Sequence, residues 1–387
     1  MIRTFKCEIK PTRGQREQFA KAFGTRRWCW NWALATYYEK AREDIFLTDY
    51  ALDTTLNKLR KENPDEFGWI GEVNSMVKSE ALGDFYNSVK AYRQLQKKAR
   101  RSANPETDKA CGKGKPKFKK KGFCEQSFRL LRKNDTAFRI KSKFHFDMNW
   151  TRQFGRMNIK TTENIMFLKE TKIKTATISS KAGKYYLSLS YEKTNPRKKS
   201  GSGTIGVDLG VKHSAVTYDG KSTKTYDLPK TLAKAEKLQS QHQTKLSRKK
   251  YGSKNYLKQK RLCDKQSEKQ ANIRKDFLHK LTSELVNNYV EIKVDDFSFK
   301  GAVNLCAKAT YKVAPCMLKQ MLEYKCEEHG VKLVYVPTFT PTTQTCSECD
   351  TRAPERVKLS DRTFSCECGY VADRDENAAR NVFKLVI

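Results

Sequence analysis

Cys346 and Cys349 are separated by two residues, Cys366 and Cys368 by one, and sixteen residues lie between the pairs. Four thiolates so spaced suit a closed tetrahedral Zn²⁺ site, which stabilises a fold and leaves no open position for catalysis. Gly369 follows the second pair, where a knuckle must turn. His145, His213, His242, His279 and His329 lack ligand spacing and read as surface or packing residues. Just beyond the cysteines, Asp373-Arg374-Asp375 opens a helical pattern. Two more acids end apolar runs: Asp208 closes Thr204-Ile205-Gly206-Val207, and Asp295, with Asp296 behind it, closes Val290–Val294. Acids at two strand ends and a helix start can converge on one sheet edge. Asp208, Asp295 and Asp375 would there hold a pair of Mg²⁺ ions about 4 Å apart, an arrangement that hydrolyses phosphodiesters. Each acid also has an ordinary reading: Asp375 as a helix cap, Asp208 as a turn acid, Asp295 as a strand end meeting solvent. Asp296 and Asp373 rank second.

The elements that carry these residues are readable. Residues 2–9 alternate, with Phe5, Cys7 and Ile9 on one face, as in a half-buried strand. Thr12 and Gln15 form a capping box for a helix running to about Arg42. Further helices are expected over 53–62 and 72–101, so 12–102 reads as a helical unit. Residues 103–122 read as a loop rich in Gly, Pro and Lys. Strands return over 127–191, clearest in the hairpin 175–180/184–191. Together with the first strand they suggest a small β-barrel over 1–11 and 103–195, interrupted by the helical unit. Residues 196–203 form a basic linker. Beyond it, 204–387 alternates strands and helices and reads as an α/β domain: strands at 204–208, 211–218, 290–294 and 332–336, helices over 230–287 and 313–329, a hairpin turn at Asp219-Gly220, and a last helix from about Asp375.

A net charge of +35 makes the chain repel itself unless a polyanion neutralises it, and nucleic acid is the expected partner. A membrane surface is disfavoured, because no run approaches eighteen apolar residues. The opening residues read as a strand and not as a signal peptide, which implies a cytoplasmic, reducing setting. The cysteines outside the knuckle then serve as small buried hydrophobes. Candidate phosphate contacts are Lys113, Lys115, Lys117, Lys119, Lys120 and Lys121, then Arg248, Lys249 and Lys250. Trp28, Trp30, Trp32, Tyr37 and Tyr38 cluster in the first helix, mostly as core, with one or two free to stack on bases.

Several segments resemble the TnpB (OrfB) family of transposon-encoded, RNA-guided DNA nucleases, relatives of the compact type V CRISPR effectors. They are Ile205-Gly-Val-Asp208-Leu-Gly210-Val, Val294-Asp295-Asp296-Phe-Ser-Phe-Lys-Gly301, Leu322-Glu-Tyr-Lys325, Pro341-Thr-Thr-Gln-Thr-Cys346, Leu359-Ser-Asp361-Arg-Thr-Phe-Ser-Cys366 and Asp373-Arg-Asp375-Glu-Asn377-Ala-Ala-Arg-Asn381. The match covers 203–387; earlier residues fit in layout only. The resemblance implies a multidomain α/β protein: a wedge barrel, a helical recognition lobe over 12–102, and a ribonuclease-H-like RuvC domain over 204–387 with a zinc ribbon at 340–370. It implies guide RNA encoded near the transposon end, a target DNA duplex read beside a short adjacent motif, Mg²⁺ at the acids, and a prokaryotic, nucleoid-associated setting. Arg374, beside Asp375, reads either as a contact to the scissile phosphate or as an ordinary surface residue.

The family's acids run Asp, Glu, Asp, and here the middle one is Asp295. Aspartate is shorter by one carbon–carbon bond, about 1.5 Å, and a misplacement near 1 Å can cost on the order of a hundredfold in rate. An active endonuclease and a nuclease-dead, RNA-guided repressor therefore both remain open, as does a zinc-ribbon nucleic-acid binder without a guide. Oligomeric state is not legible.

Overall fold

A computed structural model describes residues 2–42, 47–101, 114–132, 137–151, 154–193, 201–210, 213–295, 312–337, 340–353 and 361–385. Lys113, Asp296, residues 103–113 of the expected loop and residues 196–200 of the expected linker lie outside them. The chain forms two compact units, Met1–Thr194 and Asn195–Ile387.

In the first unit, β1 (Ile2–Ile9) leads into α1 (Arg13–Arg42), then α2 (Asp49–Glu62), the single turn α3 (Pro64–Phe67) and α4 (Ser75–Arg101). The capping box forms: Gln15 N donates to Thr12 Oγ1 at 3.3 Å and Thr12 N to Gln15 Oε1 at 3.1 Å. Six strands follow: β2 (Gln126–Leu131), β3 (Phe138–Ser142), β4 (His145–Thr151), β5 (Gly155–Lys160), β6 (Ile173–Lys181) and β7 (Lys184–Glu192). The β6–β7 turn places Ala182 and Gly183 at φ of 51° and 86°, as a tight two-residue hairpin requires. The described strands form two sheets, β1-β7-β6-β2 and β3-β4-β5, which meet where Ile9 bridges Thr161. One core serves both sheets, and Phe19 and Phe23 of α1 and Val77 of α4 belong to it. The far half of α1 packs elsewhere, with Trp30 and Leu34 against Leu52, Leu56 and Phe85. The helices are thus rooted in the β core at one end and in their own core at the other.

The second unit contains β8 (Thr204–Asp208), β9 (Ala215–Tyr218), β10 (Thr223–Tyr226), α5 (Lys230–Ser247), α6 (Lys254–Asn288), β11 (Glu291–Asp295), α7 (Pro315–His329), β12 (Lys332–Val336), β13 (Thr363–Ser365), β14 (Val371–Asp373) and α8 (Arg374–Lys384). The second strand starts at Ala215, later than its apolar pattern suggests. The main sheet runs β10-β9-β8-β11-β12. β8, β11 and β12 are parallel, while β9 and β10 return antiparallel. Period-two alternation divides the sheet's faces. Ile205, Val207, Ile292 and Val294 face Leu278, Leu281 and Leu285 of α6 and Leu318 and Leu322 of α7. Gly206, Asp208, Lys293 and Asp295 take the opposite face, where α8 lies.

Buried Lys325 of α7 donates to His279 O, Thr282 Oγ1 and Ser283 Oγ of α6 at 2.7–2.8 Å, so its ammonium is fully engaged in joining two helices. Cys7, Cys29, Cys263 and Cys326 are buried, as expected of small apolar side chains, whereas Cys316 is exposed. Burial pushes the Cys7 and Cys29 thiols up to about 12. No described helix is long and apolar enough to cross a membrane.

Candidate active site and metal centre

A cap starts α8, and two contacts fix it against the sheet. Asp373, not Asp375, caps it: Asp375 N donates to Asp373 Oδ1 at 2.9 Å, and the helix starts at Arg374. The capping role belongs to the neighbouring acid, which leaves the Asp375 carboxylate available. In mid-helix, a Cβ at Gly206 would stand 2.5 Å from Ala379 O and 2.6 Å from Phe383 N, so only glycine lets the two backbones meet. At the far end, Lys293 Nζ donates to Phe383 O and Leu385 O at 2.8 and 2.7 Å. A cation there satisfies orphan carbonyls and complements the helix dipole.

This frame brings the three aspartates to one edge. β8 and β11 are parallel neighbours with Val207 opposite Val294, so Asp208 and Asp295 both lie one step further, at the carboxyl ends. In open α/β sheets that edge is where ligands bind. Asp375 lies in the first turn of α8, its Oδ2 3.7 Å from where a Gly210 Cβ would be. Asp208 is 5% exposed, and its carboxyl is held well above the usual carboxylate range. Burial is the main cause; the charges of Asp375 and then Asp295 add to it, and Arg374 opposes them. Arg374 Nη2 lies 3.2 Å from Asp375 Oδ1 and is the one cation acting on Asp208 among the causes of its shift. Oxygen donors short of positive charge suit a hard divalent cation such as Mg²⁺.

The cysteines form a tighter group. The Sγ atoms of Cys346, Cys349, Cys366 and Cys368 all lie within 4.8 Å of one another. Cys346–Cys368 and Cys349–Cys366 are 3.7 and 3.5 Å apart, close to the ~3.8 Å edge of a tetrahedron with Zn–S bonds near 2.3 Å. In the first turn Glu348 N points at Cys346 Sγ at 3.5 Å; in the second, Gly369, at φ 89°, closes the knuckle by donating its N–H to the Cys366 carbonyl. Hydrogen bonds from Thr351 pull the Cys349 thiol down to about 6, while Cys366 is raised and Cys368 is pushed up to about 12, with the neighbouring sulfurs among the causes. Spacing, geometry and donor type all fit zinc. Among the described residues no other group of His, Cys, Asp or Glu, the three aspartates included, is gathered so closely.

A clamp joins the two centres, and spacing alone did not reveal it. Asn377 is fully buried; its Nδ2 donates to Thr345 O at 2.7 Å and its Oδ1 accepts from Ser347 N at 2.9 Å. One turn on, Asn381 Nδ2 donates to Thr342 O and Thr345 O at 2.7 and 2.6 Å, and Lys384 Nζ donates to Ser347 O. Asn377 follows Asp375 by two residues, and Thr345 precedes Cys346. The same helix thus carries an acid and grips the loop bearing the first zinc ligand.

The basic candidates are placed as follows. Arg248 caps the end of α5, and Lys249 and Lys250 occupy the turn into α6. Residues 114–121 run along α1. Lys115, Lys117, Lys120 and Lys121 are exposed, and Lys119 is half-buried with its Nζ 3.3 Å from the Trp30 ring centre. Burial, then the Arg26 charge, lowers Lys119 to about 8.

Three family descriptions match. "Helix-turn-helix domain" of OrfB_IS605 covers 1–44, "Probable transposase" of OrfB_IS605 covers 188–305, and "Cas12f1-like, TNB domain" covers 316–382. A Streptomyces pristinaespiralis protein is 25% identical over 98% of this chain and 88% of its own length. InsQ of Escherichia coli K12 is 28% identical over 98% of this chain and 91% of its own. Both carry the provisional name RNA-guided DNA endonuclease. The endodeoxyribonuclease Cas12f1 of Sulfoacidibacillus thermotolerans is 40% identical over 17% of this chain and 15% of its own. In fold, the chain is similar to one in the cryo-EM structure of a Cas12f1–sgRNA–target DNA complex, with a TM-score of 0.51, 14% identity and 99% of both chains covered. The transposase description spans β8 to β11 and the TNB description runs through the cysteines into α8, so the chain is similar to the TnpB (OrfB) family across the elements that carry the acids and the cysteines.

Proposed function

We propose that the protein is an RNA-guided endonuclease that cuts double-stranded DNA beside a short adjacent motif. One observation carries the reading: Asp208 is buried at the carboxyl end of β8, with Asp375 and Asp295 as the leading charges acting on it. The sheet order, three antiparallel strands followed by two parallel ones, supports a ribonuclease-H-like RuvC nuclease for the second unit. The names of the full-length relatives agree.

Asp208, Asp295 and Asp375 are the ligands for Mg²⁺, which when bound in pairs supplies an activated water and steadies the leaving oxygen. Asp208 favours such an ion because burial and its neighbours penalise its charge when uncompensated. Arg374 orients Asp375 through their 3.2 Å ion pair and would donate to a phosphate oxygen of the target. Zinc at the four cysteines stabilises the ribbon and, through Asn377, the start of α8. The wedge barrel and recognition lobe of the first unit hold a guide RNA encoded near the transposon end. Pairing between that RNA and the target reads sequence, as in other RNA-guided systems. Basic segments of both units neutralise phosphates.

The test is cleavage of a plasmid carrying the guide-matched target and a randomised flank, by protein purified with its RNA in Mg²⁺. Cutting that Asp208→Ala abolishes supports the reading; undiminished cutting by that variant removes it. One observation favours a second reading, a repressor acting by occupancy: Asp295 stands where the family has glutamate.

A further inference from the structure

The lysine-rich segment 114–121 reads from sequence as a self-repelling loop. In the structure it is a strap fixed to α1. Trp30 Nε1 donates to Lys117 O at 3.0 Å. Asn31 pairs with both backbone groups of Lys119, Nδ2 to O at 3.0 Å and Oδ1 from N at 2.7 Å, as a neighbouring strand would. Pro116 is buried, the Lys119 ammonium lies over the Trp30 ring, and Lys115 Nζ is 5.0 Å from the Tyr38 ring centre.

Phe118 sits between the two anchored residues, with the carbonyls on both sides of it tied to α1. Its own side chain is 63% exposed. Five of the eight strap residues are lysines and none is acidic. An aromatic face held rigidly outward among cations suits one chemistry: an unpaired base stacked on the ring, with its flanking phosphates met by lysines. A fixed strap has already met the ordering cost that a loose loop would meet on binding.

We infer that Phe118 is a stacking platform for an unpaired nucleotide, with Lys117, Lys120 and Lys121 contacting the adjoining phosphates. The inference rests on the proposed function only in taking nucleic acid as the partner. The test uses the full-length protein stripped of bound RNA, with short single-stranded probes carrying 5-iodouridine in RNA or 5-iododeoxyuridine in DNA. After irradiation, the peptide bearing the adduct is identified by mass spectrometry. An adduct at Phe118 is expected. Its appearance with the RNA probe assigns the platform to the guide, and with the DNA probe to a displaced target strand; adducts only elsewhere overturn the proposal. Phe118→Ala should weaken probe binding roughly 5- to 150-fold with an unchanged salt slope, while Phe118→Tyr retains it. Lys117→Ala should instead reduce the salt slope by about one. Affinity of Phe118→Ala within twofold of the parent with both probes also overturns the proposal. Guided cleavage, measured in parallel, separates the outcomes: a protein that cuts but gives no Phe118 adduct retains its function and loses this site.

Discussion

Gly206 of β8 and Ala379 of α8 leave no room for a side chain between them: a Cβ on the glycine would lie 2.5 Å from the alanine carbonyl oxygen. Both partners are backbone, so neither can turn aside. Gly206→Ala must push α8 off the sheet, and Asp375 moves with the helix. Overpacking of this kind destabilises by about 1–3 kcal/mol, and a shift near 1 Å at a reacting centre costs on the order of a hundredfold. We expect guided cleavage to fall by that factor while zinc content is retained. Cleavage at the parent rate would show that α8 does not set the acid's position.

The bond from Asn377 to the Cys346 loop makes zinc and α8 interdependent. Asn377→Ala leaves Ser347 N without its acceptor in a buried place, at about 1–3 kcal/mol. Groups that orient ligands from behind typically matter 10- to 100-fold for metal affinity. Zinc released to a chromogenic chelator should therefore leave the variant faster by about that factor. Cleavage should fall too, although Asn377 touches no nucleic acid in this scheme. Parent-like release kinetics would confine Asn377 to ordinary packing.

Asp208 carries a stability cost that depends on pH. Its folded-state pKa lies above the unfolded value of about 3.9. As pH rises past the unfolded value, the unfolded chain gives up this proton first and the native state retains it, so stability declines until the raised native pKa is passed. Asp208→Asn removes the titration. In Mg²⁺-free buffer the variant should be more stable than the parent at neutral pH, on the order of 1 kcal/mol, a common size for relief of a strained site. The Tm gap should widen as pH rises from about 4, and adding Mg²⁺ should raise only the parent. A gap that does not vary with pH would mean that Asp208 is not strained by its neighbours.

Much of this site follows from local pattern. Acids ending apolar runs are visible because burial and alternation are short-range signals, as are the Thr12–Gln15 box and the cysteine spacing. What escaped are contacts between distant residues. Asn377 reads as a polar helix position until the loop at Thr345 is folded against it. Lys293 reads as a surface lysine of a strand, yet it closes the end of α8. The strap at Lys117–Lys119 reads as a charge run because nothing nearby announces that Trp30 and Asn31 will seat it. Asp375 could be read as a cap because the choice between it and Asp373 turns on a two-residue shift in where the helix starts.

Asp295 decides between the two readings of function. It is half-buried, ends β11 next to buried Asp208, and adds to that group's raised pKa, so its charge already acts at the site. A glutamate would reach about 1.5 Å further, but the ligand set needs the charge as much as the reach. We expect the unaltered protein to cut in Mg²⁺, Asp295→Asn to lose on the order of a hundredfold or more, and Asp295→Glu to remain active. The repressor reading expects the reverse order: an inert parent that binds target with its RNA, and cutting that appears only in Asp295→Glu. Binding and cleavage measured on one guided substrate, with the three proteins side by side, separate the two. An inert parent that Asp295→Glu awakens would make this chain a guided binder that keeps the shape of a nuclease site.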